Sequence, residues 1–312
     1  MKAEPLEFSI WAVGGGKGGT GKSVMSTLLA ITLARLGRQV VLLDADLGGA
    51  NLHSLFGTRL PAVTLNDFVE KRVTSLEEAA IETGVPGLRL ISGASDILSL
   101  ANPKYAQKTR ILNAIRKLHA DVVLLDLGAG THFNTLDFAL LAHQQVVVLT
   151  PQMTSIENAY GFIKGMLYRR LERVVKEESP LWPHLQPALK PEPGAPTVHI
   201  VDCVQAAREA GGEELETLEQ ILRDFHPRVL VNQAQAQTDP LAGGVVANVA
   251  GRYLGVTPVS VGQVPTDPDL RRAIDQLRPL YTLPTGSPSI LALRDVVRHL
   301  EKLDEARLAQ AA

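Results

Sequence analysis

The chain has 312 residues, 45% of them apolar, which is enough to bury the core of one large α/β domain or two small ones. Its formal net charge of -2 argues against binding of nucleic acid over the whole surface, and its single cysteine, Cys203, excludes an internal disulfide framework. Residues 1–8 lack the form of a signal peptide, and no stretch has the roughly 20 apolar residues of a transmembrane helix. We therefore expect a cytoplasmic protein, with peripheral attachment to the inner face of the cell membrane as the alternative.

Short apolar strands alternate with helices along most of the chain. Helices are predicted at 22–36, where Gly37 is a suitable C-cap, and at 105–118. Strands are predicted at 10–13, 39–43, 88–91, 122–125, 145–149 and 229–231. These strands are continuous apolar runs, which is typical of strands covered by helices on both faces. The sequence therefore predicts a single α/β domain over residues 1–312, with a doubly wound, mostly parallel sheet.

Residues 172–224 interrupt this alternation with a charged, proline-rich stretch. Six prolines between 180 and 196 argue against a core strand there, and we expect that part to form a loop outside the core sheet. Helical patterns follow at 204–210 and 213–225. We interpret residues 172–224 as a partly helical insertion between two core strands.

The segment from Gly16 to Ser23 fits the phosphate-loop pattern G-x-x-x-x-G-K-[ST] and lies between a predicted strand and a predicted helix. Its glycines let backbone N–H groups surround phosphate oxygens, and the helix N-terminus adds positive potential. Lys22 is expected to reach the β- and γ-phosphates, and the Ser23 hydroxyl to bind Mg²⁺. The other predicted nucleotide-binding residues of the loop are Gly16, Lys17, Gly18, Gly19, Thr20 and Gly21. The alternative is a glycine-rich turn that holds no ligand.

A second lysine, Lys17, lies in the same loop. A spare cation on a phosphate loop is either solvated or directed at phosphate, and the chemistry alone favours neither.

Three aspartates follow predicted strands, at the edge of the sheet where ligands bind in doubly wound folds. Asp44 and Asp46 lie two residues apart and share a face of an extended chain, so both could approach one Mg²⁺–nucleotide. The alternative for Asp46 is capping of a helix that begins near residue 50. Asp126 precedes two glycines that would let its loop approach the γ-phosphate, and its alternative is an ordinary turn aspartate.

These motifs resemble those of a known family. K-G-G-T-G-K-S at 17–23, D-A-D-L-G at 44–48 and D-L-G-A-G at 126–130 are similar to the deviant phosphate loop and the two aspartate motifs of MinD/ParA ATPases. The resemblance covers most of the chain, from residue 10 to about 165 and from 227 to the end. Segments most similar to the FlhG branch, the MinD-like regulators of flagellar number, lie at 42–52, 150–160 and 264–273.

The resemblance implies roles for single residues of the phosphate site. Lys17 matches the signature lysine that crosses a face-to-face homodimer to the partner's phosphates. Asp46 matches the carboxylate that positions the attacking water, so that Lys17, Lys22 and Asp46 form the implied catalytic set. Asp44 and Asp126 match residues that hold Mg²⁺ through its waters, beside Ser23.

The resemblance also implies base contacts and shows departures. Asn232 matches the asparagine that recognises adenine, and Pro265 and Asp267 match the loop over the base. His53 stands where relatives usually have aspartate, and Leu127 replaces a more usual serine or threonine.

Two surface features have alternatives that remain open in the sequence. MinD proteins carry a membrane-targeting amphipathic helix at the C-terminus, and residues 290–308 have an apolar stripe, but they lack an aromatic anchor and an excess of basic residues. Packing against the core is therefore favoured over membrane binding. The pairs Arg169-Arg170 and Arg271-Arg272 could contact DNA, as in ParA proteins, but a solvated helix face is favoured.

The resemblance implies a Mg²⁺-dependent ATPase whose homodimer closes with ATP and reopens after hydrolysis. Such a switch would position a cellular structure, with flagellar placement or number control favoured, and a protein partner would stimulate hydrolysis or be positioned. The alternatives are a ParA-like DNA-partitioning ATPase and a nucleotide-binding scaffold with weak hydrolysis. Relatives that carry iron–sulfur clusters use cysteine pairs, and this chain has one cysteine.

Overall fold

The computed structural model describes residues 8–46, 49, 51–58, 61–93, 105–211, 214–235 and 241–311. The N-terminal segment 1–7 and the last two positions of the motif at 44–48 lie outside the described residues, as does residue 50.

In the described part of the chain, eight strands form one sheet in the order β3-β4-β2-β5-β1-β6-β7-β8. The strands are β1 (Ser9–Gly14), β2 (Val40–Asp44), β3 (Ala80–Glu82), β4 (Leu88–Ile91), β5 (Val122–Asp126), β6 (Gln144–Leu149), β7 (Arg228–Ala234) and β8 (Val259–Pro265). All neighbouring strands are parallel except β3, which runs antiparallel to β4 at one edge. The prediction of a doubly wound, mostly parallel sheet is therefore confirmed.

Helices cover both faces of this sheet. They are α1 (Lys22–Arg35), α2 (Leu52–Leu55), α3 (Leu65–Val69), α4 (Tyr105–Ile115), α5 (Phe133–Ala139), α6 (Met153–Val174), α7 (Trp182–Leu189), α8 (Ile200–Ala210), α9 (Leu215–Arg223), α10 (Leu241–Leu254), α11 (Pro268–Asp275) and α12 (Pro288–Ala311). Side chains of a strand alternate between faces, so Ile10 and Ala12 join one core cluster while Trp11 and Val13 join the other. The first cluster packs under α3 to α10, and the second under α1, α2, α11 and α12.

The insertion folds as three helices, α7 to α9, between α6 and β7. Helix α7 packs on α8, α8 on α9 and α10, and α9 on α6. The expectation of a loop at 180–196 is wrong over α7, where Leu185 is fully buried in the first core cluster. Pro183 lies in the first turn of α7, where its missing N–H removes no helical hydrogen bond. Helix α7 is thus part of the core, although its prolines predict otherwise.

Helix α12 packs against the sheet along most of its length. Ile290, Leu293 and Val297 are buried in the second core cluster. Further along the helix, the buried Asp304 accepts hydrogen bonds from Trp11 Nε1 at 2.6 Å and Gln144 Nε2 at 2.8 Å. The apolar stripe of this helix therefore faces the core, which is the alternative that the sequence favours. Among the described residues, no helix combines the length and apolarity needed to cross a membrane.

Candidate functional site

The phosphate loop connects the end of β1 to the start of α1, in the middle of the sheet. Gly21 caps the helix in a left-handed conformation, with φ 87°, which disfavours a side chain at this position. A Cβ at Gly16 would lie 2.1 Å from the carbonyl oxygen of Asn158 in α6. The loop therefore approaches the neighbouring helix so closely that only glycine fits.

Lys22 is buried inside this loop. Its Nζ donates a hydrogen bond to the carbonyl oxygen of Lys17 at 3.1 Å, and its residue is 8% exposed. Burial lowers the pKa of Lys22, and the negative charges of Asp126 and Asp46 oppose that shift. The ammonium group thus lies within the field of two carboxylates, where an anionic ligand would compensate its desolvation.

The Lys17 side chain is exposed, in contrast to Lys22. Lys22 bonds the backbone carbonyl of Lys17, which leaves the Lys17 side chain outside this contact. This placement is compatible with either reading of Lys17 that the sequence leaves open.

Asp126, at the end of β5, is hydrogen-bonded to the start of α1. Ser26 Oγ lies 2.7 Å from Asp126 Oδ1, and the Ser23 side chain also bonds this carboxylate. Burial raises the pKa of Asp126 to about 6, against the hydrogen bonds from Ser23 and Ser26 and the charge of Lys22. The structure therefore brings Ser23 and Asp126, two of the predicted Mg²⁺ ligands, into direct contact.

Asp44 lies directly opposite Asp126, because the two residues are register partners on the parallel strands β2 and β5. Its Oδ1 accepts from the Asp46 N–H at 3.1 Å, and its Oδ2 accepts from the Leu52 N–H at 3.2 Å. Burial raises the pKa of Asp44 to about 7, and the charge of Asp126 adds to the shift. Asp44 thus binds the backbone at Asp46 and Leu52 and lies beside Asp126, another of the predicted Mg²⁺ ligands.

Asp46 is half-buried and lies against the loop that follows β5. A Cβ at Gly128 would come within 2.9 Å of Asp46 Oδ1, so this glycine makes room for the carboxylate. Helix α2 begins at Leu52 with Asn51 as its N-cap. Asn51, and not Asp46, is therefore the N-cap residue of α2.

The three residues predicted to contact the base surround one cavity of about 550 Å³ beside Gly21. Asn232 is buried, donates from Nδ2 to the Thr20 carbonyl at 2.9 Å and accepts at Oδ1 from the Gln233 N–H. Pro265 lines the cavity at the end of β8. Asn232 thereby links the cavity wall to the phosphate loop.

Asp267 lines the same cavity but is held by the protein itself. It caps α11 by accepting from the N–H groups of Asp269 and Leu270, and its other oxygen accepts from Ser289. Burial opposes ionisation, but these hydrogen bonds prevail and lower the pKa of Asp267. Asp267 therefore shapes the loop over the cavity as a helix cap.

The sequence reasoning missed several members of this site. Ser26 is one of them, although a serine four residues after Lys22 lies on the same face of a helix as that lysine. The apolar cavity walls formed by Val24, Met25 and Ile274 were also missed. Thr20 Oγ1 is buried with no hydrogen-bond partner among the described residues. Its hydroxyl could donate to an anionic oxygen of a ligand.

The structure places both residues that depart from the family pattern, Leu127 and His53. Leu127 is buried in the first core cluster and packs against Gly14, so an apolar side chain fits this position. His53 lies half-buried in α2, and burial lowers its pKa.

A family model described as "ParA: NUBPL iron-transfer P-loop NTPase" matches residues 8–167, about half of the chain. The chain is 37% identical over 155 residues to the Antiactivator FleN of Pseudomonas aeruginosa, covering 49% of this chain and 54% of that protein. It is 34% identical over 160 residues to the Flagellum site-determining protein YlxH of Helicobacter pylori, covering 49% and 52%. The chain thus spans about half the length of the curated relatives that it matches.

The fold is similar to that of solved structures over nearly the whole chain. The septum site-determining protein MinD of Pyrococcus horikoshii, complexed with Mg-ADP, superposes with a TM-score of 0.61 at 19% identity. The match covers 95% of this chain and 97% of that one. At this identity the likeness supports the fold alone.

Proposed function

Because this chain belongs to the ParA/MinD family of P-loop NTPases, we propose that it is an ATPase that converts ATP to ADP and phosphate with Mg²⁺. The observation that carries the proposal is the contact between the start of helix α1, which follows the phosphate loop, and the carboxylate of Asp126 at the end of β5. Lys22 lies buried in the field of Asp126, while Ser23 and Ser26 bond the same carboxylate. Burying charged groups costs free energy, and the binding of a charged ligand would offset that cost.

The residues present fit a Mg²⁺–nucleotide. Open space surrounds Gly18 and Gly19, where a Cβ would meet no atom within 4 Å, and the Thr20 hydroxyl has no partner among the described residues. Ser23 and Asp126 would hold Mg²⁺, with Asp44 behind them, and a hydroxyl with carboxylates is an oxygen donor set suited to this ion. When bound, Mg²⁺ neutralises charge on the β- and γ-phosphates.

Individual residues then divide the work of binding and catalysis. Lys22 places its charge on the β- and γ-phosphates, and the loop N–H groups orient the nucleotide. Asp46, facing Gly128 at the edge of the site, would orient the attacking water. The cavity beside Asn232 and Pro265 would accept the adenine ring against apolar walls.

The proposal of a dimeric switch rests on the resemblance of Lys17 to the signature lysine of MinD/ParA ATPases, and its exposed position is compatible with that role. With Lys22 serving the phosphates within the chain, Lys17 is available to a second copy whose phosphates face it. We propose that ATP closes this homodimer and that hydrolysis reopens it, because a ligand that binds the dimer better than the monomer must promote dimerisation.

The names of two relatives suggest the process that such a switch would serve. FleN is named an antiactivator and YlxH a flagellum site-determining protein. We propose that this chain acts in the cytoplasm in placement or number control of a cellular structure of flagellar type, together with a protein partner. The apolar stripe of α12 is buried in the core, so this stripe is not part of a proposed membrane contact.

An iron–sulfur function is not part of this proposal. Cys203, the single cysteine, is buried in α8, and burial raises the pKa of its thiol. A thiol in this state is a poor metal ligand.

The proposal is tested by phosphate release from the full chain with Mg·ATP. Lys22→Ala should reduce turnover to background, because Lys22 is the buried lysine of the phosphate loop and Lys17 is exposed. Lys117→Ala, which removes an exposed lysine far from the loop, is the matched control and should leave turnover unchanged. Turnover by Lys22→Ala equal to that of the control would show that the active site lies elsewhere, and no turnover by wild type would favour the scaffold alternative.

A further inference from the structure

A surface on helices α4, α5 and α6 combines exposed aromatic rings with paired cations, and it lies outside the cavity beside Gly21. Tyr105 is 81% exposed and Phe133 is 65% exposed, and they are the two aromatic residues among the large exposed apolar side chains of the described chain. We call Tyr105, Lys108, Phe133, Arg169 and Arg173 the Tyr105–Phe133 surface. Aromatic residues are enriched at protein interfaces, so a charged cluster that holds two exposed rings is a candidate docking surface.

Each ring of this surface lies over a cation. The Arg169 guanidinium carbon is 4.8 Å from the centre of the Phe133 ring, and Lys108 Nζ is 5.9 Å from that of Tyr105. Both cations bind the same carboxylate, that of Asp137 in α5. A chain of contacts thus runs from one exposed ring to the other through the shared carboxylate of Asp137.

Asp137 holds the cations rigidly. It is 2% exposed, accepts from Arg169 Nε at 2.8 Å, and also binds Lys108 and Arg173. Because one carboxylate faces three cations, the cluster keeps positive charge even though Glu172 lies 3.5 Å from Arg169. The cations that contact the rings are therefore held in place before any partner arrives, which lowers the entropy lost on binding.

The charge of this cluster indicates the chemistry of the partner. Three cations, Lys108, Arg169 and Arg173, share two carboxylates, Asp137 and Glu172, so the cluster is positive in a chain whose net charge is -2. Aromatic residues and arginine together are also the composition of residues that dominate binding energy at protein interfaces.

We propose that the Tyr105–Phe133 surface docks an acidic segment of a partner protein, whose apolar side chains pack on the two rings. The cations that an acidic segment would meet are Arg169 and Arg173, whose side chains are 26% and 40% exposed. A protein is favoured over an anionic membrane or nucleic acid because aromatic rings beside arginine are typical of protein interfaces, whereas those ligands need many freely exposed cations and the Lys108 side chain is only 9% exposed. The proposal goes beyond the nucleotide site and does not depend on hydrolysis.

The test starts from a random peptide library displayed on phage and selected on the full chain. The selected peptides should be rich in Asp and Glu and carry an aromatic or aliphatic residue. A fluorescent copy of the selected peptide should bind at least about tenfold more weakly to Phe133→Ala and to Tyr105→Ala, as expected for central anchors. Leu277→Ala removes a 76% exposed apolar side chain elsewhere and should leave binding unchanged. Added salt should weaken binding to wild type.

Both aromatic substitutions should leave the melting temperature, ATP turnover and ATP-dependent dimerisation as in wild type, which separates this proposal from the proposed function. Selection of neutral or basic peptides, or acidic peptides that bind equally to Phe133→Ala, would overturn the docking site. Loss of ATP-dependent dimerisation in Phe133→Ala would assign the surface to a second copy instead. Binding of vesicles containing anionic lipid that is lost in Phe133→Ala would assign it to a membrane.

Discussion

Substitution of Asp126 by asparagine should stabilise the ligand-free protein at alkaline pH. Burial raises the pKa of Asp126 to about 6, so the folded protein binds more protons than the unfolded chain between about pH 4 and pH 6. The free energy of unfolding therefore falls as pH rises through this window. Above it, the buried carboxylate is a net cost to the folded protein, and asparagine removes that cost.

The size of the effect follows from the pKa shift and from the contacts. A rise from 3.8 to about 6 corresponds to about 3 kcal/mol by linkage. Asparagine keeps an acceptor for the Ser23 and Ser26 hydroxyls but loses attraction to Lys22, which reduces the gain to about 1–3 kcal/mol. Removing this charge also removes one cause of the raised pKa of Asp44.

Thermal unfolding in EDTA without nucleotide, from pH 4.5 to pH 8, measures this prediction. The melting temperature of Asp126→Asn should exceed that of wild type by about 2–6 °C at pH 8, and the gap should close toward pH 4.5. Asp295→Asn, at an 80% exposed side chain, should track wild type throughout. A variant that is less stable than wild type at pH 8, with a gap that does not change with pH, would refute the reasoning.

Two further predictions concern how the helices are held to the sheet. Asp304→Ala leaves the Trp11 indole and the Gln144 amide without their shared acceptor. The free energy of unfolding, measured by urea titration, should fall by about 2–3 kcal/mol. A change under about 0.5 kcal/mol would mean that this contact does not hold α12 to the sheet. Leu185→Ala should cost about 2–5 kcal/mol, because Leu185 in α7 is fully buried, whereas Leu277→Ala should cost little; equal effects of the two would place α7 outside the core.

The centre of the sheet could be predicted because its strands are continuous apolar runs. Strands β3 and β8 were missed for physical reasons. Strand β3 has three partly exposed residues at an edge, and β8 mixes buried and exposed positions around Gly262. Helix α7 was missed because Pro183 and Pro187 are usually read as helix breakers.

Candidate site residues can be proposed from the sequence where they lie close together along the chain or at the ends of neighbouring strands. The phosphate loop is a contiguous motif, and the facing of Asp44 and Asp126 follows from parallel strands that end at one edge. The hydrogen bond from Asn232 to the Thr20 carbonyl joins residues 212 positions apart, and no local pattern reports it. The same holds for Asp267, whose contact with Ser289 appears only in the folded chain.

The central claim is a homodimer that ATP closes through Lys17. Light scattering with a non-hydrolysable ATP analogue, in an Asp46→Ala background where hydrolysis should be slow, tests it most directly. With Lys17 intact we expect a dimer that forms only with the analogue and Mg²⁺, whereas Lys17→Ala should stay monomeric while nucleotide affinity changes by less than about tenfold. That affinity should persist because Lys22 and the loop N–H groups remain. A dimer of equal strength in both proteins, or one that forms without nucleotide, would contradict the account.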